Sequence, residues 1–129
     1  MGALIFDGDA ILLVERGREP LKGYWSLPGG VLEIGESLKD GIRREVREET
    51  GLEVEPLEIV EVFERIMRDS EGKAEYHYVL IDYVCSAAGG TLGAADDSSA
   101  VAWVMRGDLA KYRLTDGTLT VIEKAYNQR

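Results

Sequence analysis

Glu45, Glu48 and Glu49 stand at i, i+3 and i+4, a spacing that places three carboxylates within one arc of an α-helix turning about 100° per residue. Like charges at i and i+4 cost an isolated helix about a few tenths of a kcal/mol, and Glu48 and Glu49 also face the negative end of the helix dipole. Two readings account for such a group. One is a solvated acidic face paired with Arg43, Arg44 and Arg47. The other is a divalent-metal site, since hard cations such as Mg²⁺ take oxygen ligands and complete their shell with water and substrate phosphates. The composition of the helix leaves both open.

The element that must position these carboxylates is well marked. Ser37 after Gly35-Glu36 is an N-cap, Gly51 supplies the left-handed residue past the end, and Leu38, Ile42 and Val46 form an apolar stripe, which predicts a helix over residues 38–50. Gly41 in its interior costs about 1 kcal/mol of helix propensity and marks close packing. Upstream, a short strand over residues 25–27 enters Pro28-Gly29-Gly30, where two glycines allow positive φ and close approach to a ligand.

The spacing over residues 30–52 reads Gly30, five residues, Glu36, seven residues, Arg44-Glu45-Val46, one residue, Glu48-Glu49, one residue, Gly51-Leu52. It resembles the Nudix box at every defined position and is far more specific than a lone glycine motif. The resemblance implies water-dependent cleavage of a nucleoside diphosphate linked to another group, with Mg²⁺ or Mn²⁺ as cofactor. A diphosphate repels an attacking water, and bound metal offsets that repulsion.

Carried over by position, Glu48 and Glu49 match the family's main metal ligands, and Glu45 matches a ligand or the base that orients or deprotonates water. The Gly29 carbonyl matches a further ligand. Glu36 matches a glutamate that binds an additional metal in some members, and Arg44 matches the arginine that orients the catalytic carboxylates, a task suited to its planar fork. Glu45, Arg44 and Glu48 are thus the expected catalytic residues. Arg16 and Arg18, after a strand and before the glycine loop, are candidate phosphate contacts. Many relatives carry a glutamate three residues ahead of the tryptophan that corresponds to Trp103, where this chain has Ala100; a late acidic ligand then falls to Asp96 or Asp97.

The rest of the chain bounds the alternatives. Its 129 residues suit one domain, a single Nudix hydrolase domain over 1–129, with one core. No stretch approaches a membrane span and the N-terminus lacks a secretory pattern, so a cytoplasmic location without membrane contact is expected. A net charge of −9 argues against gripping a nucleic-acid polymer, whereas a small nucleotide substrate is compatible because metal inverts the local charge. Cys85 is the only cysteine and His77 the only histidine, which leaves thiolate clusters, histidine-rich zinc sites and histidine triads without residues. Cys85, in an apolar run, reads as a small buried hydrophobe.

Residues 2–6 and 10–15 read as a hairpin around Asp7-Gly8-Asp9, residues 54–66 and 75–86 as two long strands joined across Asp69-Ser70-Glu71-Gly72, and residues 100–105 as another strand. Asp7 and Asp9 are turn residues. A closing helix is expected over residues 116–127, capped by Thr115, with Leu119, Ile122, Ala125 and Tyr126 inward. This order suggests an α+β domain with helices on a mixed sheet, and the resemblance implies the Nudix fold, an α/β/α sandwich. Trp25 reads as core or loop support, and Phe63, Tyr76 and Tyr78 as sheet-face aromatics. Relatives often form a homodimer, and a short N-terminal strand with an exposed edge offers a place for one.

Three function classes follow: a metal-dependent pyrophosphohydrolase, a non-catalytic nucleotide-sensing Nudix domain, and an isomerase of allylic diphosphates. The intact glutamates favour the first. The third needs an active-site cysteine, for which Cys85 is poorly placed. No proline or tyrosine stands at the spacings of the ADP-ribose or diadenosine-polyphosphate subgroups; the stretch Trp25-Ser26-Leu27-Pro28-Gly29-Gly30 resembles that of many members that act on ADP-ribose or nucleoside triphosphates, which ranks nucleotide sugars such as ADP-ribose with (deoxy)nucleoside triphosphates.

Overall fold

Period-two alternation in the first strand dictates a sheet covered on both faces. In a computed structural model describing residues 1–95 and 97–129, β1 (Gly2–Asp7) buries Ala3, Leu4 and Ile5 completely. Leu4 packs with one apolar cluster, Ala3 and Ile5 with another on the opposite face. Strands buried on both sides read as continuous apolar runs, as here.

β2 (Ala10–Arg16) returns antiparallel, and the sheet is completed by β3 (Trp25–Ser26), β4 (Leu52–Arg68), β5 (Ala74–Gly90) and β6 (Ser98–Met105). The order is β3-β2-β1-β5-β4, with β6 paired to β2. β1 and β5 run parallel, from Gly2 opposite Asp82 to Ile5 opposite Cys85, so the sheet is mixed. Two helices cover it. α1 (Leu38–Thr50) seats Ile42 and Val46 against Ala3, Ile5, Leu12 and Tyr83, and α2 (Thr118–Asn127) seats Val121, Ile122 and Ala125 against Leu4, Ile11 and Leu13. This is the expected α+β arrangement with a helix on each face. No helix among the described residues is long and apolar enough to cross a membrane.

One irregularity places the site. β1 and β2 pair only near their turn, at Phe6 with Ile11 and Asp7 with Ala10, while the far end of β2 pairs with β3. Pro28-Gly29-Gly30 lies against the free start of β1. Ala3 N–H donates to the Pro28 carbonyl at 2.8 Å and Gly30 N–H to the Met1 carbonyl at 3.1 Å.

Several expectations are corrected. The N-terminal strand is no edge: β1 lies between β2 and β5, and β4 is an outer strand, which is why Pro56, lacking an N–H, is tolerated in it. α2 starts at Thr118 behind Gly117, whose φ is 85°, and Thr115 does not cap it. The Thr115 hydroxyl instead pairs with that of Thr118 at 2.6 Å, because residues 115–118 close a turn before the helix begins. Leu119 is 45% exposed while Val121 is buried, because the buried stripe runs through Thr118, Val121, Ile122, Ala125 and Tyr126 and leaves Leu119 at its margin. β4 and β5 are also longer than the expected 54–66 and 75–86, extending each other as an antiparallel hairpin across Asp69 and Lys73.

Candidate active site

The acidic helix begins and ends as its residues dictate. Ser37 Oγ accepts the Asp40 N–H at 3.1 Å, and Gly51, with φ 77°, donates its N–H to the Arg47 carbonyl. Gly41 is packed as closely as its type suggests: a Cβ there would lie 2.8 Å from Met1 Sδ and 3.0 Å from Glu36 Oε1. The glycine turn is tighter still. A Cβ on Gly29 would fall onto the Met1 carbonyl, and one on Gly30 onto the Glu45 carboxyl. The two glycines therefore let the turn lie directly over the helix carboxylates.

Arg44 gathers most of the acidic group. Its Nε donates to Glu36 Oε2 at 2.7 Å and its Nη2 to Glu36 Oε1 at 2.9 Å, a two-pronged grip. Nη1 donates to Glu45 Oε1 at 2.9 Å and to Glu48 Oε2 at 3.2 Å, with Glu33 Oε1 at 3.6 Å. Nη2 also donates to the Val31 carbonyl. The hydrogen bonds with Arg44 hold the Glu36 carboxyl below its usual range, and those with Glu36 raise the guanidinium's own hold on its proton. Charge-assisted bonds of this kind fix side chains in one orientation.

Glu49 stands apart. It is 8% exposed, and the Gly29 N–H donates to its Oε1 at 2.7 Å. Burial pushes its carboxyl up to about 7, against the lowering effect of that hydrogen bond; repulsion from Glu45 and Asp97 adds to the rise and Arg16 opposes it. The Glu49 carbonyl accepts the Ser98 hydroxyl at 2.8 Å, which ties the start of β6 to the end of α1.

Of the expected phosphate contacts, Arg16 lines the cleft with its Nε bonded to the Pro20 carbonyl at 2.8 Å. Arg18 lines it too, in an exposed ion pair with Asp97 at 2.9 Å. Of the two late acidic candidates, Asp97 borders the cleft and Asp96 lies outside the described residues. Trp25 meets Tyr112 edge-on at 5.1 Å, as loop support. His77 pairs with Glu64 at 2.6 Å on the exposed hairpin. Cys85 is buried, and burial pushes its thiol up to about 12, an inert state.

Among the described residues no three acidic, histidine or cysteine side chains already converge on one point as metal ligands: Glu36, Glu45 and Glu48 turn to Arg44, Glu49 to the Gly29 N–H. The donor set nonetheless fits a hard divalent cation. It is carboxylate throughout, and Glu49, desolvated beside Glu45, is a carboxyl whose charged form a cation would favour.

The cleft, about 570 Å³, is lined by Glu45, Glu49, Gly29 and Gly30 and also by Phe63, Arg65, Tyr78, Leu80 and Asp82. The lining from β4 and β5 escaped the sequence reading, which took Phe63 and Tyr78 only as sheet aromatics. One signal was present: Asp82 interrupts the apolar run Val79-Leu80-Ile81-Asp82-Tyr83-Val84-Cys85, and a carboxylate in a covered strand needs a reason.

The chain matches the family model described as NUDIX domain over residues 1–124. It is 36% identical over 95 residues to an ADP-ribose pyrophosphatase of Methanocaldococcus jannaschii, covering 74% of this chain and 54% of that protein. It is 33% identical over 103 residues to a MutT-like protein of Streptomyces ambofaciens, covering 80% and 60%. The chain thus matches little more than half the length of these curated relatives. Among solved structures, a MutT NUDIX hydrolase from Burkholderia pseudomallei superposes with a TM-score of 0.82 at 30% identity, covering 95% of this chain and 93% of the other.

Proposed function

The chain belongs to the Nudix domain family, and from that premise we propose that it hydrolyses a diphosphate bond, with a divalent metal ion, in a nucleoside diphosphate linked to a further group. The observation that carries this reading is the convergence of Glu36, Glu45 and Glu48 on Arg44, with Glu49 under the Gly29 amide, where Glu45 and Glu49 line a cleft large enough for a nucleotide. The relatives' names support the same reaction class, and the linked group is a sugar, as in ADP-ribose, or further phosphate, as in a (deoxy)nucleoside triphosphate.

In this reading Glu48, Glu49 and the Gly29 carbonyl hold Mg²⁺ or Mn²⁺, and Glu36 serves an additional ion. Glu45 is a ligand or the base that orients water. When bound, the metal would offset the diphosphate's charge and make water a better nucleophile. Arg44 holds Glu36, Glu45 and Glu48 together before substrate arrives. Arg16 and Arg18, which line the same cleft, meet the phosphates. The substrate is a small molecule, since a chain with net charge −9 has little attraction for a polymer backbone.

Purified protein incubated with Mg²⁺ or Mn²⁺ and a panel of nucleotide sugars, triphosphates and dinucleoside polyphosphates is expected to release a nucleoside monophosphate from at least one of them. Glu48→Gln lowers that turnover by orders of magnitude. Unchanged turnover in the variant removes the role given to Glu48.

A further inference from the structure

Asp82 lines the same cleft as Glu45 and Glu49 of the acidic helix and takes no part in the helix's hydrogen bonds. Alternation along β5 puts Leu80, Asp82 and Val84 on one face and Ile81, Tyr83 and Cys85 on the other; Val84 joins the core beneath α2, and Tyr83 and Cys85 the core beneath α1. A carboxylate has been placed where the pattern calls for an apolar side chain.

Asp82 is only 2% exposed, yet among the described residues it accepts no hydrogen bond and enters no ion pair. The positive groups that act on it are the Met1 amine and Arg65, and Glu61 acts against it. Both positive groups bond elsewhere, the amine to the Gly30 carbonyl at 2.9 Å and Arg65 Nε to the Asp116 carbonyl at 3.1 Å. An acceptor kept from water without a donor is unfavourable and uncommon. No side-chain nitrogen or oxygen among the described residues is both sealed and unpartnered, so the Asp82 oxygens keep a sliver of surface, and it opens on the cleft they line.

The neighbourhood makes room for this carboxylate. Gly2 is its register partner across β1 and β5, and a Cβ on Gly2 would fall onto Asp82 Oδ1. Leu27, Phe63 and Leu80 line the cleft together with Arg65, Thr115 and Thr118, and the Arg65 guanidinium lies 5.8 Å from the Phe63 ring centre. An aromatic ring and apolar side chains beside an acceptor group suit a flat ring that presents donors on its edge.

We propose that Asp82 determines which nucleobase the protein accepts, by receiving two adjacent N–H donors from the base edge, the arrangement that guanine alone among the common bases offers to a carboxylate. Adenine sets a ring-nitrogen lone pair beside its amino group, and uracil flanks its single N–H with carbonyls, so each leaves one Asp82 oxygen facing an acceptor. A site built to receive N–H donors rejects analogues that lack them more strongly than an apolar pocket rejects a change of size. Burial raises the Asp82 carboxyl to about 6, so near pH 7 it is mostly the ionised acceptor this pairing needs. The inference rests on the proposed reaction for what is cleaved, but base recognition is measurable by itself.

The test compares wild type with Asp82→Asn, which keeps the shape and removes one acceptor and the charge; Asp82→Ser serves if the first does not fold. Titration calorimetry with GMP and AMP, without metal, reads binding. Hydrolysis of paired guanine and adenine substrates with Mg²⁺ reads kcat/KM. Wild type is expected to favour guanine in both, and Asp82→Asn to lose about 10- to 100-fold on guanine, mostly in KM, with adenine unchanged. Equal loss on both bases, or none on either, overturns the proposal. If no substrate is hydrolysed, the proposed reaction fails, while GMP and AMP binding still decides the role of Asp82.

Discussion

Arg44 grips Glu36 through two nearly parallel hydrogen bonds of 2.7 and 2.9 Å while its remaining terminal nitrogen reaches Glu45 and Glu48. One guanidinium thereby orders three carboxylates from two segments of chain that would otherwise repel one another. The helix alone supplies no such order, because Glu36 lies outside it.

Replacing Arg44 with lysine keeps the charge and removes the fork. A point charge on a flexible stem cannot hold Glu36 bidentately and still reach Glu45. Arg44→Lys is expected to lower kcat/KM by about 10- to 100-fold, in line with the strength of charged hydrogen bonds. Steady-state rates beside a melting curve check it: a variant that retains wild-type rates would show that the fork is dispensable.

Gly30→Ala probes the close approach of the turn to the helix. Its Cβ has no space beside the Glu45 carboxyl, so Glu45 must rotate away or the turn must lift. Turnover is expected to fall by at least about tenfold, since sub-ångström to 1 Å misplacement of catalytic groups is costly. Thermal stability should change far less than turnover. Equal losses in both would point to a folding defect instead.

Metal-free protein should weaken as pH rises through 6 to 7. Glu49 and Asp82 titrate near 7 and 6 in the fold, above the ordinary 4.5 and 3.8, both mainly through burial. The fold therefore binds their protons more tightly than the unfolded chain does, and the stability they contribute below about pH 4 is lost as each ionises. Each unit corresponds to about 1.4 kcal/mol, so the combined effect is on the order of a few kcal/mol. Urea midpoints in chelator at pH 5 and pH 8 measure it. Glu49→Gln should flatten the upper part of the decline and Asp82→Asn the lower, and Mg²⁺ at pH 8 should restore stability by binding the folded state. A midpoint that climbs with pH contradicts the assignment.

Ser37→Ala removes the acceptor for the Asp40 N–H and should cost about 1 kcal/mol. Because Ser37 is exposed and does not itself line the cleft, kcat should hold while the melting temperature drops. A fall in kcat at full stability would mean that the cap does more than start the helix.

The helix over residues 38–50 was legible with both caps because its signals are local: Ser37, the stripe of Leu38, Ile42 and Val46, and Gly51 act within one or two turns. The β1–β2 turn was legible for the same reason. The position of β1 inside the sheet was not, since its parallel partner β5 lies some eighty residues away in sequence and no spacing within either strand specifies that pairing. Leu119 was misjudged because the buried stripe of α2 runs through Thr118, Val121, Ile122, Ala125 and Tyr126, and Leu119, in the first turn, stands at its margin.

For the site, sequence by itself determined the acidic triplet, the glycine turn and the arginine, because residues three, four or a fixed few apart on one helix and its leading loop meet by the geometry of the local backbone. Only the tertiary structure decided that the carboxylates share one guanidinium, that Glu49 sits desolvated beneath the Gly29 amide, and that Asp82 opens into the same cleft from the far strand. Those relationships depend on burial and on which distant strands pair, and burial is a property of the packed molecule rather than of any segment of the chain.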